Sequence, residues 1–107
     1  MTVDNFNKLV EDKLTKIKDV LVKKTAEYNL DADRLSVFKR AGELQSERAD
    51  EALLGMLTKH IISIYDMVKT GDDYPVEKWD EKCIDSINYL LLLLALEIDI
   101  KENKKGL

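Results

Sequence analysis

Glu77, Glu81, Asp85 and Asn88 stand at i, i+4, i+8 and i+11, which at 100° per residue places them within an arc of roughly 80° on one helix face. Three carboxylates one turn apart are hard oxygen ligands, suited to Mg²⁺ or Mn²⁺ with the remaining positions filled by water and substrate phosphates. The arc runs on toward Leu92 and Ala95, so acids at its inner end need a cation, a metal or hydrogen-bond donors beside them. The same letters also describe an exposed first half of a helix with acids near its positive end, a favourable dipole arrangement.

A second polar stripe, Gly55, Lys59, Ser63, Asp66 and Thr70 with His60 at its edge, occupies a similar arc on the preceding helix. Facing the acidic stripe, Lys59 would pair with Asp85 or with a phosphate; facing water, it is a solvated side. Glu43 and Glu47 form a third acidic pair, balanced by Lys39, Arg40 and Arg48. Glu27, Tyr28, Asn29, Asp31, Asp33 and Arg34 crowd one loop, in which Tyr28 offers a stacking ring and Arg34 a phosphate ligand, or simply a capped turn. No second His or Cys stands at zinc-ligand spacing from His60. Neither a phosphate-cradling glycine motif nor a recognisable Ser/His/Asp set is present.

The elements that must position these residues are helical. Phe6, Leu9, Val10, Leu14, Ile17, Val20 and Leu21 recur at threes and fours, which predicts an amphipathic helix over about 4–27 with one buried stripe. NLDADR breaks the pattern, and Asp33 is suited to cap a short helix over 34–45 that uses Leu35, Phe38, Ala41 and Leu44. Ser46 or Asp50 can cap a third helix over 47–70, with Ala49, Leu53, Met56, Leu57, Ile61, Ile64 and Met67 or Val68 on its apolar side and Gly71 at its end. Pro75 opens the last helix, 75–99, and the tail 101–107 is expected to fray.

These elements lack any period-2 alternation and predict a single all-α domain over residues 1–107, a four-helix bundle. Leu90 to Leu94 point in five directions around the last helix, more than three amphipathic partners readily cover. The leucine face is therefore expected to oligomerise, most simply as a dimer. Cys83 is expected on the core side.

The 107 residues carry a net charge of −4 with no basic cluster, which disfavours binding of duplex nucleic acid. A single cysteine and an N-terminus without an apolar core point to a reducing cytoplasm. The uninterrupted apolar run Tyr89–Leu96 is too short for a membrane span, which needs about 20 residues.

KKTAEYNLDADRLSVFKRAGEL, ALLGMLTKHIISIYDMV and WDEKCIDSINYLLLLLAL together resemble small phage and prophage proteins of the nucleotide modification associated domain 1 type, over residues 23–96. That family is similar in turn to the all-α nucleoside triphosphate pyrophosphohydrolases of the MazG and dimeric dUTPase group, which present acidic pairs to Mg²⁺ and assemble as dimers or tetramers. Glu27 and Tyr28 resemble the acid and tyrosine closing the family's first helix, Phe38 its phenylalanine after the polar loop, Lys59 its middle-helix lysine, and Asp85, Asn88 and Tyr89 its terminal D-x-x-N-Y. The pyrophosphohydrolases use E-x-x-E and E-x-x-D, whereas Glu43 with Glu47 and Glu81 with Asp85 are each one residue wider.

The resemblance implies a place in phage nucleotide metabolism, and the first reading is an Mg²⁺- or Mn²⁺-dependent nucleotide hydrolase, acting in the host cytoplasm if phage-encoded. In it Glu81 and Asp85, with Glu43 or Glu47, hold Mg²⁺ or Mn²⁺, Lys59 neutralises phosphate, and Asn88, Tyr28, Arg34 and His60 contact the nucleotide. The alternative is a non-catalytic helical module that sequesters a nucleotide or blocks a host protein, with plain structural association through the leucine face as a third reading.

Overall fold

A computed structural model describes residues 1–28 and 33–105, and the side chains of all of these except 23–28 and 105. Among the described residues the chain is all-helical, in the order α1 (Val3–Tyr28), α2 (Ser36–Gln45), α3 (Ala49–Thr70) and α4 (Val76–Lys105). It divides into two compact units, Met1–Arg34 and Leu35–Leu107.

The first unit carries α1. Of its predicted stripe, Ile17 is buried and Val20 and Leu21 half-buried, whereas Phe6, Leu9, Val10 and Leu14 are exposed. The Thr2 hydroxyl accepts from the Asn5 N–H at 3.1 Å, filling one of the unpaired donors at the helix start.

The second unit is a three-helix assembly in which α3 packs on both α2 and α4. Its core is Leu35, Phe38, Leu53 and Leu96, with Ala49, Met56, Tyr89, Leu92, Leu93 and Ile100 packed against it. Lys39 on α2 and Asp99 on α4 close one edge with an ion pair at 2.8 Å.

The connection between α2 and α3 is the tightest part of the unit. Ser46 takes a left-handed conformation (φ 54°) just beyond Gln45, and the Glu47 N–H donates back to the Gly42 carbonyl at 2.8 Å. This return of the chain onto the last helical turn satisfies carbonyls that would otherwise be unpaired. The expected caps are displaced. Leu35 precedes α2 with no side-chain cap, and Ser46 terminates α2 instead of starting α3. Arg48 is the residue before α3, and its N–H donates to the Glu51 Oε1 at 3.0 Å, the reciprocal half of a capping box.

Gly71 ends α3 in the left-handed region (φ 69°). The chain enters α4 after Pro75, whose carbonyl accepts from Lys78, while Tyr74 and Trp79 meet edge to face at 6.0 Å between centroids.

Three expectations need correction. The last helix does not stop at residue 99 but continues to Lys105, since an unbroken run of Lys, Glu and Asn contains no helix breaker before Gly106. Cys83 is exposed rather than on the core side. Leu44 and Ile61, expected on the apolar sides of α2 and α3, are also exposed, while of Met67 and Val68 it is Met67 that is buried.

Candidate functional site

The acidic stripe on α4 is graded by depth. Glu77 and Glu81 are exposed, Asp85 is half-buried, and Asn88 is buried at 7% exposure. The gradient follows position along α4 rather than direction around it, since Asn88 points between Glu77 and Glu81 and the α4 residues that pack on the core begin at Tyr89. Ser86, also buried, satisfies its hydroxyl by donating to the Lys82 carbonyl at 2.9 Å.

Asn88 is not satisfied in this way: its Oδ1 is buried and has no hydrogen-bond partner. On α3, His60 is half-buried, and its Nδ1 is likewise buried without a partner. The His60 ring lies against Tyr89, the neighbour of Asn88, with centroids 5.1 Å apart and planes tilted by 38°. A buried acceptor or ring nitrogen left unpaired costs about 1–3 kcal/mol. Each of these atoms is a point at which a hydrogen-bond partner would be stabilising.

The other sequence-derived candidates lie apart from this pair. Lys59, Gly55, Asp66 and Thr70 face solvent, and Ser63 is half-buried. Glu43 sits on α2 and Glu47 beyond its end, and both are exposed. Arg34 is half-buried. The side chains of Glu27 and Tyr28 lie outside those described. Among the described residues, no three His, Cys, Asp or Glu side chains gather closely enough to hold a metal ion, so any ion near Asp85 and Glu81 would take most of its ligands from water and phosphate.

One acidic contact escaped the sequence reading. Asp50, at the start of α3, shares a side-chain hydrogen bond with Glu97 on α4. The Arg48 Nε donates to the Asp50 Oδ1 at 3.1 Å, and the Glu51 N–H donates to the same oxygen at 2.9 Å. The hydrogen bond from Glu97 holds the Asp50 carboxyl below the usual range against partial burial, with Arg48 adding to it. The bond to Asp50 pushes Glu97 up, reinforced by partial burial and by the Asp50 charge, while Arg48 and Lys101 oppose the rise. Asp50 reads from sequence as a cap and Glu97 as the polar end of an apolar run; their meeting depends on the α3–α4 register, which no local pattern encodes.

The pair sets a pH dependence of definite sign. Glu97's contribution is complete below its ordinary value and is lost as pH rises through the raised one. Asp50's contribution is present above its ordinary value and is lost as pH falls through the depressed one. Helix content followed by circular dichroism during thermal unfolding should show a stability maximum in the acidic window between those two titrations. In Glu97→Gln, which retains a donor to Asp50 but cannot ionise, the decline toward neutral pH should flatten. An unchanged profile would show that the shared proton does not matter.

Compared with models of known families, with curated proteins and with solved structures, the chain gives no match. No helix among the described residues is long and apolar enough to cross a membrane.

Proposed function

We propose that this protein is a helical nucleotide-binding module of the phage nucleotide-metabolism type, which recognises its ligand at Asn88, His60 and Tyr89 and assembles through its last helix. The observation that carries this reading is the pair of buried, unpartnered polar atoms on facing helices, Asn88 Oδ1 and His60 Nδ1. A nucleobase edge places an exocyclic amine beside ring nitrogens, so one planar group can donate to an amide oxygen and meet an imidazole nitrogen. Tyr89 and His60, already in ring contact, offer aromatic faces for stacking.

A second reading, an Mg²⁺- or Mn²⁺-dependent pyrophosphohydrolase, is supported by the half-burial of Asp85 one turn before Asn88. The carboxylates of Asp85 and Glu81 suit a hard divalent ion, and such an ion, when bound, would offset phosphate charge. Lys59 would serve the same end, while in the family's terms Glu43 or Glu47 would add a carboxylate to the ion.

The test is a panel of nucleoside triphosphates with Mg²⁺ or Mn²⁺, read by thermal shift and by product formation together. Stabilisation without product supports the module; turnover abolished in Asp85→Asn supports the hydrolase. Asn88→Leu replaces the unpaired amide with an apolar group of similar volume, so the ligand-free protein should hold or gain stability while the nucleotide-induced shift disappears. A shift retained in Asn88→Leu, or none in the parent protein with any nucleotide, sinks the proposal.

A further inference from the structure

We draw no further inference here: the strongest candidate, the apolar face of α1 on which Val3, Phe6, Leu9, Val10 and Leu14 stand exposed, carries none because nothing in the structure shows what covers it.

Discussion

Leu53→Ala is expected to lower the stability of the α2–α4 unit by about 2–5 kcal/mol. Leu53 is at 0% exposure and sits in the cluster with Leu35, Phe38 and Leu96, where α2, α3 and α4 all contribute. Removing its branched end forfeits the transfer free energy of the lost carbons and leaves a cavity walled by three separate helices, which cannot close without shifting all of them. For a unit of this size each kcal/mol corresponds to roughly 4–8 °C in melting temperature, so the midpoint should fall by roughly 10 °C or more. Leu44→Ala is the matched control: Leu44 is 86% exposed, and the same chemical change there should stay within about 0.5 kcal/mol. Equal effects at the two positions would refute the placement of the core.

Gly42→Ala and Gly55→Ala should move stability in opposite directions. Alanine is intrinsically better than glycine inside a helix by about 1 kcal/mol, and both glycines are helical. At Gly55 a Cβ meets nothing within 4 Å, so the substitution should stabilise by up to about that amount. At Gly42 it would stand 2.8 Å from the Glu47 carbonyl oxygen and 3.0 Å from both the Ala49 nitrogen and the Arg48 carbonyl carbon. Those atoms are backbone of the α2–α3 connection, held by the Glu47-to-Gly42 hydrogen bond, and cannot rotate aside. Overpacking against fixed backbone costs about 1–3 kcal/mol, which outweighs the helical gain. Chemical denaturation of both variants checks the signs, and a stabilised Gly42→Ala would mean that the turn opens freely.

The two glycines also show what local pattern can and cannot say. Both fall inside helices that the periodicity predicts, and nothing in their immediate sequence tells one from the other. The close approach belongs to Gly42, because only the reversal of the chain at Ser46 brings residues 47–49 back over it. The acidic candidates divide in the same way. The spacing of Glu77, Glu81, Asp85 and Asn88 predicts a shared face, but their depth, from exposed to buried, follows from how α4 lies on the rest of the unit. Likewise, nothing in the neighbourhood of Asp50 announces Glu97.

What the sequence alone determined is the helical character of the chain and its breaks, because a 3.6-residue period, Gly71 past the end of a helix and Pro at a helix start are local effects, decided by the backbone within a few residues. Which faces are covered was decided by tertiary structure. Ile61 and Met67 are equally apolar members of α3, yet one faces water and the other is buried, because burial depends on where α2 and α4 lie. Cys83 and Asn88 sit five residues apart on one helix, and packing leaves the thiol outside and the amide within, its oxygen unpartnered.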